Sequence, residues 1–296
     1  MAPDGCSPRL VITVCAVLSI FIGEWLVYHI ICAPLAHHAL LFNVFLALTV
    51  WSYLATALTD PGTPSTDEWQ SWSELRTKSP EARQNPSEPE ECESRWAPGR
   101  PSWCHRCRCE RPERAHHCSQ CGCCVLRMDH HCPWIGGCIG WRNHKYFLLL
   151  NWWSCLSCLT FLLSLRRPST LEIISALGAT NEAPNLVAAV GMLLALLFFV
   201  FTGIMFLWNL HMSAKNLTSV ELLFHGDNPY RLSCLSNLKN LLGPADWRLL
   251  VPLPPTSRSS GTLFLLRQTA EDSVIACDAS DTDSLVTDGT RMYGSA

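Results

Sequence analysis

The sequence predicts an all-α polytopic membrane protein, with four transmembrane helices and a small cysteine-rich cytoplasmic domain between the second and third. Three observations carry that expectation. Hydrophobic residues make up 48% of the 296 residues and charged ones only 16%, against roughly 25% charged in a typical soluble domain. Four long apolar stretches account for this balance. Of the seventeen cysteines, nine fall between Cys104 and Cys138, so the excess is local. A net charge of −3, a pI near 6.4 and a mean hydropathy of +0.14 exclude a disordered regulator and a highly charged nucleic-acid binder. A small secreted disulfide scaffold would carry cysteine throughout. Metal ligands or reactive thiols in a membrane-associated protein remain.

The expected spans are residues 10–33, 35–58, 146–165 and 183–210. The third and fourth carry no charge at all, and the first is interrupted only by Glu24 and His29. Roughly 20 apolar residues suffice to cross the hydrocarbon core, and buried helices of a soluble core rarely stay charge-free for so long. No small-residue cleavage site closes the first run, so it reads as a retained helix rather than a signal peptide. All lysines and arginines but Arg166 and Arg167 fall on one side of this arrangement. The excess of positive charge on the cytoplasmic side then puts both termini and the cysteine-rich loop in the cytoplasm, where thiols stay reduced.

Asp60-Pro61-Gly62 ends the second span with two helix breakers. Residues 59–101 read as a flexible cytoplasmic linker rich in Pro, Ser and Glu. Its Trp69, Trp72 and Trp96 suit either the membrane interface or a plain linker. Residues 211–243 follow the fourth span as a cytoplasmic motif region, and residues 244–296 read as a disordered acidic tail. No long internal repeat stands out.

Residues 102–145 hold the chemistry. The segment runs Cys104-x2-Cys107-x9-His117-Cys118-x2-Cys121-x2-Cys124-x4-Asp129-His130-His131-Cys132-x5-Cys138. A Cys-x2-Cys step brings two thiolates onto one tetrahedral zinc, and the segment holds enough ligands for two closed sites with thiols to spare. So small a loop has little apolar core, so two structural zinc ions would supply its folding free energy. Asp129-His130-His131-Cys132 places a thiol, two imidazoles and a carboxylate together. An imidazole that takes the thiol proton makes a nucleophile, and a carboxylate fixes that imidazole's tautomer.

At these residues the chain resembles the DHHC family of protein S-acyltransferases, the palmitoyltransferases. The match runs from Cys104 through Asn143 and Phe147. Asp60-Pro61-Gly62 resembles the family motif after span two. Thr218-Ser219-Val220-Glu221 resembles its Thr-Thr-x-Glu motif, with Ser219 at the second Thr. Tyr230 and Asn237 resemble its C-terminal motif, with Ser233 where Gly is usual and a slightly altered turn expected there.

The resemblance implies one zinc on Cys104, Cys107, His117 and Cys124, and a second on Cys118, Cys121, His131 and Cys138. It implies Cys132 as nucleophile, His130 as general base and Asp129 as the group orienting His130. Trp134 would line the thioester, and Cys109 and Cys123 match no ligand position. Arg106, Arg108, Arg111 and Arg114 suit CoA phosphates, or equally a solvated face or anionic lipid headgroups. The implied function is transfer of a long-chain acyl group from acyl-CoA to cysteines of membrane-associated proteins, through an acyl-enzyme on Cys132. Its setting would be the endoplasmic reticulum, Golgi or plasma membrane. Two other classes compete: a membrane-anchored ubiquitin-ligase-type zinc module, and a catalytically silent scaffold. Neither requires Asp129 beside His130 or a spare Cys132. Asn216-Leu217-Thr218 is a glycosylation sequon on the cytoplasmic side, expected to be unused, and Glu24 in span one has no assigned role.

Overall fold

The computed structural model describes residues 8–32, 36–78, 96, 98, 100–165, 183–255, 260–267 and 290–291. Four helices among them are long and apolar enough to cross a membrane: α1 (Pro8–Cys32), α2 (Ala36–Leu58), α4 (His144–Leu165) and α5 (Ala183–Ala214). The chain is a membrane protein. Helix α4 is the central span, packed against both α2 and α5, whereas α1 is the most exposed. Tyr28 stacks on Phe42 with ring centroids 3.8 Å apart, and Phe161 and Ala195 complete a small apolar core joining all four spans. Hydroxyls within the spans, such as those of Thr56, Thr160 and Thr202, donate to the carbonyl four residues earlier. That satisfies them where no water is available.

Glu24 in α1 accepts hydrogen bonds from Ser157 Oγ (3.3 Å) and Cys158 Sγ (3.9 Å) of α4. Its role is thereby structural at least, since a carboxyl group within a span needs a partner.

The expectation of an all-α protein is corrected in the cysteine-rich domain. Its described residues form three two-stranded antiparallel hairpins: β1 (Ser102–Cys104) with β2 (Cys109–Arg111), β3 (His116–Cys118) with β4 (Cys123–Val125), and β5 (His130–Cys132) with β6 (Gly137–Ile139). The physical reason lies in the turns. The left-handed residues Arg108, Gly122 and Gly136 occupy the same place in the three reversals. A helix cannot form where the chain must turn back every few residues to present Cys-x2-Cys.

The linker is also more ordered than its composition suggests. Residues 67–78 form α3 (Asp67–Lys78), with Asp67 and Glu68 in its first turn and Arg76 and Lys78 in its last, the charge order that suits the helix dipole. Trp69 and Trp72, three apart and so on one face, are buried rather than interfacial. They join Leu126, Trp141, Leu148, Tyr230, Leu241 and Phe264 in one core. The rest of the expected linker, residues 79–95, 97 and 99, lies outside the described residues.

That core also corrects the tail. Phe264, expected to be disordered, is buried in it. Residues 244–255 are ordered too, with Lys145 Nζ at the base of α4 donating to the carbonyls of Arg248 (2.8 Å) and Leu253 (2.9 Å). Residues 256–259, 268–289 and 292–296 lie outside the described residues. Ser233 causes no distortion: at φ −62° it needs no glycine, and its Oγ accepts from Ser236 N to cap α6 (Cys234–Leu242).

Two turns pin the hairpins to the spans. Asp60 Oδ1 accepts from Gly62 N and Thr63 N (both 2.8 Å), closing the turn after α2. The Gly62 carbonyl then accepts from Leu126 N at 2.8 Å. A Cβ at Gly62 would sit 2.9 Å from Leu126 Cβ, and one at Gly140 would sit 2.6 Å from the Pro61 oxygen. Both glycines are therefore needed for close approach. Asn143 completes the joint, with Nδ2 donating to the carbonyls of Thr56 (3.1 Å) and Cys138 (3.0 Å) and Oδ1 accepting from Gly140 N (2.9 Å).

Candidate active site and metal centres

The three hairpins repeat at a constant spacing. Cys104, Cys107, His117 and Cys124 recur at one fixed offset as Cys118, Cys121, His131 and Cys138, a period too short to stand out as a long internal repeat. Each quartet is gathered in space, with one ligand atom from every residue within 4.8 Å of the others. His117 Nδ1 lies 3.6, 3.2 and 3.9 Å from the sulfurs of Cys104, Cys107 and Cys124. His131 Nδ1 lies 3.6, 3.2 and 3.8 Å from those of Cys118, Cys121 and Cys138. A zinc with sulfur at ~2.3 Å and nitrogen at ~2.0 Å requires ligand edges of roughly 3.5–3.8 Å. The residues fit the ion. Each quartet takes two cysteines from one hairpin and a histidine and a cysteine from the next, so the two metals staple the three hairpins in series. Cys109 and Cys123 belong to neither quartet.

Continuing the period explains what is left over. Cys132 stands one repeat after Cys118, the position of a first ligand, but Ile135 stands where the second cysteine would be. The third hairpin is an incomplete metal repeat, and its first thiol is free. Cys132 is only 7% exposed, packed with Tyr53, Ile135, Ile139 and Phe147 at the end of the spans that carries the hairpins, with Val14, Leu18 and Phe21 of α1 alongside.

His130 precedes it by two positions on β5. His130 Nδ1 donates to Asp129 Oδ2 at 2.7 Å, and the ring packs edge-on against Phe147 with centroids 5.4 Å apart. Burial disfavours a charge on His130, but hydrogen bonds with Asp129 and Cys132 outweigh it and raise its pKa to about 9. Burial likewise works against the Asp129 charge. The hydrogen bond to His130, the nearby His144 and the Ser219 N–H together hold this carboxyl well below the usual carboxylate range.

Asp129 is fixed from the far side by the segment after α5. Ser219 N donates to Oδ1 (2.8 Å) and Ser219 Oγ to Oδ2 (3.2 Å). Serine in place of threonine thus keeps both donors. Ser219 is held in turn by its neighbours: Glu221 Oε2 accepts from Thr218 N at 2.9 Å and from Arg114 Nη2 at 2.8 Å, and Arg114 Nε donates to Glu221 Oε1 at 2.6 Å. Both side chains are almost wholly buried. Burial disfavours either charge, but each raises the stability of the other, so the Glu221 pKa falls and that of Arg114 rises. Truncating Glu221→Ala strands a buried guanidinium, and should cost about 3–5 kcal/mol, read as a lower melting temperature of the detergent-solubilised protein. Asn216, the sequon asparagine, is consumed by the same network. Its Oδ1 accepts from Arg114 and Arg127 and its Nδ2 donates to the Tyr230 carbonyl.

A family model for the DHHC palmitoyltransferases matches residues 97–225. The chain is 31% identical over 274 residues to palmitoyltransferase ZDHHC20 of Bos taurus, an alignment covering 85% of this chain and 72% of that protein. It is 30% identical over 235 residues to palmitoyltransferase ZDHHC20 of Homo sapiens, covering 72% of this chain and 62% of that protein.

The chain belongs to the DHHC palmitoyltransferase family. As a member it is a protein S-acyltransferase, moving a long-chain acyl group from acyl-CoA to protein cysteines, with a two-zinc cysteine-rich domain. Several of the motif positions named above join the parts of the molecule: the Asp60 turn and Asn143 hold the hairpin domain to α2, Glu221 and Tyr230 hold it to the segment after α5, and Asn237 holds α6 to α5. Asn237 Nδ2 donates to the last carbonyl of α5 at 2.9 Å.

The four arginines divide. Arg106 and Arg108 are exposed, whereas Arg111 and Arg114 are buried. The expectation that Arg111 faces CoA is therefore corrected: its Nε donates to Ser102 Oγ at 3.0 Å and ties the first hairpin together. Trp134 is 65% exposed on the turn beyond Cys132, and its carbonyl accepts from Tyr53 Oη at 3.2 Å. A groove of about 690 Å³ runs between α1 and α2, with Asn43, Leu46 and Val50 along one side. Its walls include Leu18, Phe21 and Leu54, which also pack around Cys132.

Proposed function

We propose that Cys132 carries the acyl group, His130 moves the proton and Asp129 orients His130. An imidazole of raised basicity beside a thiol takes its proton and pairs with the thiolate. The Cys132 sulfur attacks the thioester carbonyl carbon of a long-chain acyl-CoA, and the carbon–sulfur bond to CoA breaks. CoA leaves as a thiol with the proton from His130. A cysteine of a membrane-associated protein, deprotonated by His130, then attacks the Cys132 thioester and releases the Cys132 thiolate. One thioester replaces another in both steps, so positioning and activation dominate the catalysis. The two zinc ions hold the hairpins and take no part in these steps.

The observation that carries the reading is the Asp129–His130 hydrogen bond at 2.7 Å beside a thiol left out of both metal quartets. Exposing an acyl chain to water costs ~0.8 kcal/mol per CH2, so the apolar groove between α1 and α2 suits the chain while its thioester meets Cys132. Trp134 is placed to cover the thioester, and exposed Arg106 and Arg108 suit CoA phosphates. The distribution of lysine and arginine favours both termini and this site in the cytoplasm. That fits a membrane of the endoplasmic reticulum, Golgi or plasma membrane and substrates with cytoplasmic cysteines.

Removing the orienting carboxylate by Asp129→Ala should lower the rate of acyl-enzyme formation about 10²–10⁴-fold, the span typical of general acid–base contributions. Single-turnover labelling with alkynyl palmitoyl-CoA measures it. A rate within a factor of two of the parent chain contradicts the assigned roles.

A further inference from the structure

Residues 260–264 reach back across the core built on Trp141 and Tyr230 and close the outer side of the network that holds Asp129. Gly261 lies flat on Trp141 at φ +75°, where a Cβ would come within 2.1 Å of Trp141 Cδ1. Thr262 and Phe264 are buried. Phe264 N donates to Glu113 Oε1 at 2.8 Å, and the other oxygen of Glu113 accepts from Tyr230 Oη at 2.9 Å. The Phe264 ring meets Trp141 and Tyr230 edge-on, with centroids 5.5 and 5.8 Å apart. In the corner over the rings of Phe264 and Tyr230 sits the guanidinium of Arg114, its Cζ 4.6 Å from each centroid. A cation held against two aromatic rings and forked onto a carboxylate has little freedom left. The path inward is short: Arg114 holds Glu221, Glu221 holds the Thr218 backbone, and Ser219 holds both oxygens of Asp129.

We propose that residues 260–264 are a positioning strap for catalysis, in which Phe264 locks Arg114 and, through Glu221 and Ser219, sets the orientation of Asp129 and His130. The strap reaches Asp129 only through other side chains, and Phe264 shares its apolar core with Cys104 and Cys124 of the first quartet. It lies beyond residues 97–225, the part of the chain that the family model matches. The proposal rests on the roles given above to Asp129, His130 and Cys132.

The test uses the full chain and single-turnover acylation of Cys132 by palmitoyl-CoA. Gly261→Ala unseats the strap by collision with Trp141. Phe264→Leu keeps apolar bulk and removes the aromatic face. Both should lower the saturating rate roughly 10- to 100-fold, as expected when reacting groups are misplaced by about an ångström. Half-saturation by palmitoyl-CoA and the zinc content stay at parent values. Phe264→Tyr, which keeps the ring face, restores the rate. Parent-like saturating rates in both Gly261→Ala and Phe264→Leu overturn the proposal. So does a loss of rate accompanied by loss of zinc, which would make the strap a folding element only. Failure of the underlying reading is separate: the parent chain itself would then form no acyl adduct at Cys132.

Discussion

Cys132→Ser is expected to reduce acyl-enzyme formation and substrate acylation to background, while Cys109→Ser leaves both at parent levels. The two cysteines are chemically alike, but their settings differ. Cys132 sits beside His130, which donates to Asp129, in an apolar cluster that shares Leu18, Phe21 and Leu54 with the groove between α1 and α2. Cys109 pairs across a hairpin with the ligand Cys104, on a different hairpin from that imidazole. A serine hydroxyl at position 132 is a far weaker nucleophile than a thiolate at neutral pH. Hydroxylamine-sensitive labelling with an alkynyl fatty acid reads both variants. Background labelling in Cys109→Ser, or parent-level labelling in Cys132→Ser, contradicts the assignment.

Loss of a metal ligand should be comparably severe through a different route. His131→Ala or Cys138→Ser opens the second quartet, two of whose ligands lie on β5 and β6, the hairpin that carries Cys132. Structural zinc contributes on the order of 10–16 kcal/mol of apparent binding free energy in small zinc domains, and the strands of these hairpins are too short to hold by themselves. The expected result is a fall from two zinc ions per chain, cleavage of the 102–145 region under limited proteolysis, and no acyl-enzyme. Elemental analysis and proteolysis distinguish this from Cys132→Ser, which should keep both metals and the parent cleavage pattern. Full acylation after complete removal of zinc by a chelator contradicts a structural role for the ions.

What was legible in the sequence follows from how local each signal is. A Cys-x2-Cys step encodes its own geometry, so two metal sites were legible from the spacing, while the division of ligands between them came from the family resemblance, and charge-free runs encode the spans. The hairpins were not legible, because such short strands cannot show an alternating pattern. Their period was present in the ligand spacing and becomes visible when the segment is aligned with itself. It marks Cys132 as a first ligand whose partner is Ile135. The arginines misled for a physical reason: composition counts a charge but not its partner. Arg114 looks like part of a basic surface until Glu221, far along the chain, is placed against it. Trp72 and Phe264 lie in segments whose polar and Pro-rich surroundings read as unstructured, and only the shared core with Trp141 and Tyr230 reveals why each is ordered.

The central claim is that one thiol, Cys132, holds the acyl group between donor and acceptor. Intact-mass measurement of the purified protein after brief exposure to palmitoyl-CoA, without a protein acceptor, tests it most directly when followed by peptide mapping under conditions that preserve thioesters. The account predicts one palmitoyl group per chain, mapped to Cys132, released by hydroxylamine and absent from Cys132→Ser. A stable palmitoyl adduct mapped to another cysteine, with Cys132 unmodified while substrate is still acylated, would contradict it.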